Sequence, residues 1–289
     1  MLHNISLIGA GKLGASLAIE LNKYNLLNSI LIRSYDKRKS IAEKLPENKI
    51  IHSLRELDIN IIDCVILAIP DSAIEEVAND ISQLFKDKLK NKYIIHCSGK
   101  ERLDVLKSCA EYGAFVASAH PYQTFFKYNE NLFKDVPWLI ETENFDELAE
   151  LILLLGGKPF QLSEEELEKK PLYHCSAVVA SNLLASTITL SKQMLKEFEN
   201  IDPSILKKIV YTTIENCIDD SDDNLLPMTG PLIRADLKTI AGHIEQLKPN
   251  VHLLESYKAL CISGLEMLFY LNKISEENYN KLKCFLESK

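Results

Sequence analysis

The stretch Ile5-Ser6-Leu7-Ile8-Gly9-Ala10-Gly11-Lys12-Leu13-Gly14 decides the fold. Its first four residues form an apolar run of strand length. A G-x-G-x-x-G pattern follows at once, and over 13–24 apolar residues return every three or four positions, as on one face of a helix. In such a strand–turn–helix the first glycine permits the tight turn, and the second lets the backbone approach a pyrophosphate. The third lets helix and strand pack closely. The phosphates would rest on the helix N-terminus, whose free N–H groups and positive dipole end suit an anion.

Outward from this stretch, short β-like runs alternate with helical patterns through the first 120 or so residues, the order that builds a parallel sheet covered on both faces. Strands are expected at 5–8, 29–33, 64–69, 93–96 and 114–119, with helices at 13–24, 71–85 and 102–112. A last strand at 137–141 and a helix at 145–155 complete this half. After Gly156-Gly157 the texture changes. The segment Glu164-Glu165-Glu166-Leu167-Glu168-Lys169-Lys170 reads as a charged helix start or hinge, and helices are expected at 171–198, 203–219, 233–246, 249–272 and 275–287. The fold class is thus an α/β Rossmann domain with a doubly wound, mostly parallel sheet over 1–162, followed by an all-α domain over 163–289 that binds substrate and dimerises.

The 289 residues suffice for two ordinary cores, and 46% apolar with 26% charged residues is a globular composition. A net charge of −8 argues against general affinity for nucleic acid or anionic lipid. The seven cysteines are widely spaced without a C-x-x-C pair, and the seven histidines show no H-E-x-x-H or other ligand spacing. Reduced thiols in a cytoplasmic protein, no metal and no membrane span are the expectation. The apolar excess of the last helices, as in 251–270, suggests a homodimer.

The cofactor residues follow from the strand ends. Gly9, Ala10, Gly11, Lys12, Leu13 and Gly14 form the phosphate turn. About twenty residues on, where an NAD enzyme sets an acid against the ribose, this chain has Ile32-Arg33-Ser34-Tyr35-Asp36-Lys37-Arg38. A guanidinium beside a hydroxyl suits the 2′-phosphate of NADP(H), so Arg33, Ser34 and Lys37 are assigned to it. Asp36 remains the competing ribose acid. Ala68, Ile69 and Pro70 end another strand at the carboxyl edge of the sheet, at the nicotinamide end of the cleft.

Two further strand ends are polar: His96-Cys97-Ser98-Gly99 and Ser118-Ala119-His120-Pro121-Tyr122-Gln123-Thr124-Phe125. The helical half adds Tyr173-His174 with Ser181-Asn182, and Thr229-Gly230-Pro231-Leu232-Ile233-Arg234-Ala235-Asp236-Leu237-Lys238-Thr239. At 100° per residue His174 and Ser181 fall nearly on one line of a helix and Asn182 beside it, a polar stripe that must be paired with something. From Gly9 to Tyr257 these motifs, in this order, resemble Rossmann-like proteins whose C-terminal helical domain long had no assigned function. Among them are the alternative-type ketopantoate (2-dehydropantoate) reductases of pantothenate synthesis, related in architecture to pyrroline-5-carboxylate reductase. Two departures stand out: Ala235 replaces a common glycine, and Cys175-Ser176 replaces a pair of alanines.

The resemblance implies NADPH-dependent reduction of 2-dehydropantoate to pantoate. His174 is then the candidate proton donor, with His120 the competing acid. Asn182 and Ser98 would orient the substrate, Arg234 would bind its carboxylate, and Asp236, Ser181 and Thr239 belong to the same substrate site. A reductase of cyclic imines and a non-catalytic NADP(H) sensor are the alternatives, since the fold hosts many functions.

Overall fold

The computed structural model describes residues 2–34, 43–127, 131–218 and 226–288. The chain divides into two compact units, Met1–Ser181 and Asn182–Lys289.

The first unit is an eight-stranded sheet. Its strands are β1 (Ile5–Ile8), β2 (Leu27–Leu31), β3 (Ile50–Ile51), β4 (Cys64–Leu67), β5 (Tyr93–His96), β6 (Phe115–Pro121), β7 (Pro137–Glu141) and β8 (Lys158–Phe160), in the order β3-β2-β1-β4-β5-β6-β7-β8. Neighbours are parallel except β6 and β7, which pair antiparallel with His120 opposite Leu139. The chain winds outward from β1 in one direction, then returns to β4 and winds the other way, which leaves the topological switch between β1 and β4.

Both faces of the sheet are covered, so its strands are apolar on alternate sides. Ile5 and Leu7 of β1, Ile66 of β4 and Ile95 of β5 pack with Leu17 and Leu21 of helix α1 (Lys12–Lys23) and with Leu148, Leu151 and Ile152 of a later helix. Ile8, Val65, Leu67 and Ile94 point the opposite way, onto Ile74, Val77 and Ile81 of α2 (Ile74–Phe85) and onto Cys109 of the short α3 (Lys107–Ala110). The later helix is α4 (Phe145–Leu154), which leads into β8.

Several boundaries differ from expectation. β2 starts and ends two residues early, which leaves Arg33 and Ser34 in the connection beyond the strand, and β4 stops at Leu67. β3 and β8 are additional strands at the two edges of the sheet; an edge position tolerates Pro159, which cannot donate to a ladder. The first unit also extends past the expected boundary at 162/163. Ser163 caps α5 (Glu164–Leu167) in a reciprocal capping box with Glu166, and α6 (Lys170–Val178) follows within the same unit.

The expected helix over 171–198 is α6, a π turn over Val179–Leu183, and α7 (Leu184–Leu195). The unit boundary falls inside that turn. In the second unit, α8 (Leu206–Ile218), α9 (Leu237–Leu247), α10 (Val251–Tyr270) and α11 (Glu276–Glu287) follow. Its core joins the last three of these through Ile240, Cys261, Leu265, Leu282 and Leu286. No described helix is long and apolar enough to cross a membrane.

Candidate active site

The glycine turn after β1 opens a cleft of about 460 Å³ at the carboxyl edge of the sheet. Gly9, Ala10, Gly11, Lys12 and Leu13 line it, with Arg33 and Ser34 beyond β2, Ala68, Ile69 and Pro70 beyond β4, and Cys97 beyond β5. Gly9 sits at φ +107°, and a side chain there would collide with the Ala68 carbonyl oxygen. A Cβ on Gly14 would collide with the Gly9 oxygen, so Gly14 sets the helix against the turn instead of lining the cleft.

At Gly11 a Cβ would meet nothing within 4 Å, and Gly11 is the N-cap of α1 without a side-chain cap of its own. An open cradle at a helix N-terminus whose first N–H groups lack intrahelical partners fits a pyrophosphate. The expected cofactor residues therefore line one cleft, apart from Gly14 behind it. Lys37 lies outside the described residues. Among the described residues no cluster of three or more His, Cys, Asp or Glu side chains could hold a metal ion.

One turn beyond Cys97 the second set of polar residues converges. Ser98 is buried: its N–H donates to His96 Nδ1 (3.2 Å), and its Oγ accepts from the N–H groups of Lys100 (3.2 Å) and Glu101 (3.1 Å). Ser98 thus builds the turn that carries Gly99. A Cβ on Gly99 would stand 2.5 Å from His174 Cδ2 and 2.8 Å from His120 Nε2. Only glycine lets both imidazoles close over this backbone. The two rings meet edge to face with centroids 5.7 Å apart, and His120 Nδ1 lies 3.1 Å from the Tyr173 hydroxyl. Tyr122 Oη and Ser176 Oγ, 2.8 Å apart, tie the end of β6 to α6.

Beneath these rings is a network that the sequence reading missed. Lys170, in the run read as a charged hinge, is fully buried. Its ammonium donates to the Glu101 carbonyl, to Ser118 Oγ (2.8 Å) and to Glu141 Oε2 (2.9 Å). Arg102 holds the other oxygen of Glu141 through Nε, and reaches Glu168 (2.9 Å) and Glu164 (3.0 Å) through its two terminal nitrogens. Burial alone would raise the Glu141 pKa, yet Lys170 and Arg102 together hold the carboxyl below its ordinary value. Burial pulls Lys170 down, against Glu141. Burial, with His174 and Lys170 adding positive charge, lowers His120 to about 4; burial and Lys170 do the same to His96. Cys97 is pushed up to about 12 by burial, so no thiolate forms at the cleft.

The remaining expected residues sit as follows. Ser181 Oγ donates to the Ala177 carbonyl (2.6 Å) in the π turn, whose extra residue breaks the 100° projection that aligned it with His174. Asn182, Arg234, Asp236 and Thr239 belong to the second unit. Asp236 caps α9, accepting from Thr239 N–H (3.1 Å) and Thr239 Oγ1 (2.7 Å), and Arg234 is exposed before it. Ala235 stands at φ +51°, which accounts for the glycine common at this position in the resembled family.

Family models match the chain twice: a Rossmann-like domain over 2–121, and a domain of unknown function, DUF2520, over 136–263. No curated protein sequence matches it. Among solved structures, the fold is similar to a Bacteroides fragilis protein described as a candidate NADP oxidoreductase, at 20% identity and TM-score 0.73, covering 90% of this chain and 97% of that one. It is similar to a Thermotoga maritima protein at 22% identity and TM-score 0.68, covering 91% and 98%. An Aspergillus terreus reductive aminase in complex with NADPH and ethyl levulinate aligns at 11% identity and TM-score 0.58, covering 99% and 93%.

Proposed function

We propose that this chain, in which a Rossmann-like domain precedes a DUF2520 domain, is an NADPH-dependent reductase of a small carbonyl compound, with 2-dehydropantoate as substrate and pantoate as product. The observation that carries the reading is the convergence of His120 and His174 over Gly99, two residues past the Cys97 that lines the dinucleotide cleft. NADPH, when bound, supplies the hydride.

The chain's own residues then have five tasks. Gly9 to Leu13 receive the pyrophosphate, and Arg33 with Ser34 receive the 2′-phosphate, a charge-assisted pairing that an acid at this position would oppose. His174 gives its proton to the substrate oxygen as that oxygen gains charge. Asn182 orients the substrate and Arg234 pairs with its carboxylate. The helical unit exposes Ile205, Ile209, Tyr211, Ile218, Val251 and Tyr270 while its core is small, which supports a homodimer through these helices.

The test is a panel of 2-oxo acids and cyclic imines incubated with the protein and NADPH, following nicotinamide absorbance. Turnover of 2-dehydropantoate well above the other compounds is expected. Preferential turnover of pyrroline-5-carboxylate would replace the carbonyl with an imine, in keeping with the fold shared with the reductive aminase. NADPH binding without turnover of any of them would leave a sensor.

A further inference from the structure

We propose that His120 is a neutral hydrogen-bond donor to the substrate oxygen, presenting Nε2–H, and that Tyr173 is the positioning residue that fixes this tautomer. The inference deepens the reductase reading and rests on it for the identity of the acceptor. The ring geometry on which it stands is independent of that reading.

The Tyr173 hydroxyl has one hydrogen-bond partner among the described residues, His120 Nδ1 at 3.1 Å. A phenol in a part-buried site keeps its proton engaged, and among the described residues the acceptor in hydrogen-bond reach is that nitrogen. If Nδ1 carried the imidazole proton, the phenol oxygen would accept it and the phenolic proton would be left without an acceptor among the described residues. The arrangement that satisfies both groups has Tyr173 donating to Nδ1, which leaves the ring proton on Nε2. That nitrogen makes no hydrogen bond among the described residues, and it is the ring atom nearest the Cβ position of Gly99.

The groups around the ring favour the uncharged form. Lys170, Tyr173 and His174 face it from α6, and the Tyr122 ring, just beyond β6, meets Tyr173 at a tilt with centroids 5.1 Å apart. His96 on β5 and Glu141 on β7 lie beyond, in the Lys170 network. Two cationic or potentially cationic neighbours plus burial bring His120 to about 4, so it stays neutral at physiological pH. A neutral imidazole held as an N–H donor polarises a carbonyl without surrendering its proton, and such a donor acts most strongly where charge develops in the transition state. The two histidines then divide the work: His120 donates a hydrogen bond and keeps its proton, while His174 transfers one.

The test is two-bond ¹H–¹⁵N correlation NMR of the histidine rings in the labelled full-length protein, with His120 assigned from the spectrum of His120→Gln. The expected pattern is the neutral Nε2–H tautomer of His120 from about pH 5.5 to 8.5. In Tyr173→Phe, Nδ1 should move toward the protonated position as the second tautomer becomes populated, while the other ring signals stay in place. A native Nδ1–H tautomer, a doubly protonated His120 at neutral pH, or a Tyr173→Phe spectrum identical to native overturns the inference.

Kinetics separates it from the reductase reading. With a turned-over carbonyl substrate, His120→Ala should lower kcat by about 10²-fold and Tyr173→Phe by about 10-fold, with KM changed less than kcat. Native kcat in both variants defeats the proposal and leaves the reading standing. Should no carbonyl compound be reduced, the reading fails and with it the substrate contact of His120, while the NMR result decides the tautomer alone.

Discussion

Replacing Lys170 by methionine isolates the buried network on which the site rests. Methionine keeps most of the aliphatic stem but removes three donated hydrogen bonds, to Glu101, Ser118 and Glu141. The serine hydroxyl and the carbonyl can lose a partner at modest cost. Glu141 cannot, because it is 5% exposed and would keep only Arg102, on its other oxygen. Breaking one side of a buried ion pair destabilises by about 3–5 kcal/mol, and the surviving Arg102 contact argues for about 3. For a unit of this size that is roughly 6–12 °C in Tm.

The single tryptophan, Trp138, is buried in the same unit, so its fluorescence during urea unfolding reads the loss directly. The folded pKa of Glu141 is depressed, so its contribution is fully present above the ordinary glutamate value of 4.5 and is lost as pH falls through the lower folded one. The deficit of Lys170→Met should therefore narrow below about pH 4.5. Removing the unpaired charge as well, in Lys170→Met with Glu141→Gln, should recover a substantial part of the loss, a coupling of up to about 3 kcal/mol. A loss under about 1 kcal/mol in the single variant, or strict additivity in the double one, would refute the reasoning.

Gly99→Ala should fold, since the atoms it meets are ring edges and not backbone, but the displaced imidazoles should lower kcat about 10²-fold while NADPH affinity holds; native kcat would mean the rings are not used together. Arg33→Asp should weaken NADPH roughly 10- to 100-fold and NADH far less, measured by titration calorimetry. Ala235→Gly relieves a left-handed alanine at the entry to α9, and after the entropy of the added glycine a gain of about 0.5–1 kcal/mol is expected in chemical unfolding. His174→Ala should lower kcat about 10²- to 10⁴-fold with cofactor binding intact.

The Rossmann half was legible because each of its long strands is bounded by residues with their own local signal. β1 runs into Gly9, and β5 and β7 fall on the expected residues because each is a compact apolar run on a sheet buried on both faces. β3 has only two residues, and β8 has three with a proline among them, so neither shows a periodicity. The charged run before Lys170 reads as solvated because its neighbours are. Nothing local marks the one cation whose partners, Ser118 and Glu141, lie 52 and 29 residues away. The helix carrying His174 has the apolar recurrence of an α-helix, and the π turn at Val179–Leu183 does not interrupt it in sequence. Both histidines were candidates from their positions. Their meeting over Gly99 was not read, although a glycine directly after a strand-end His-Cys-Ser was the available sign of a close approach.

The most direct test of the central claim follows the hydride itself. The protein is incubated with 2-dehydropantoate and NADPH carrying two deuterium atoms at C4 of the nicotinamide, and the product is analysed by mass spectrometry. One deuterium on C2 of pantoate, formed by the native chain and reduced about 10²-fold or more in His174→Ala, is the expected result. Unlabelled pantoate, or native protein that binds the labelled cofactor and returns 2-dehydropantoate unchanged, would contradict it.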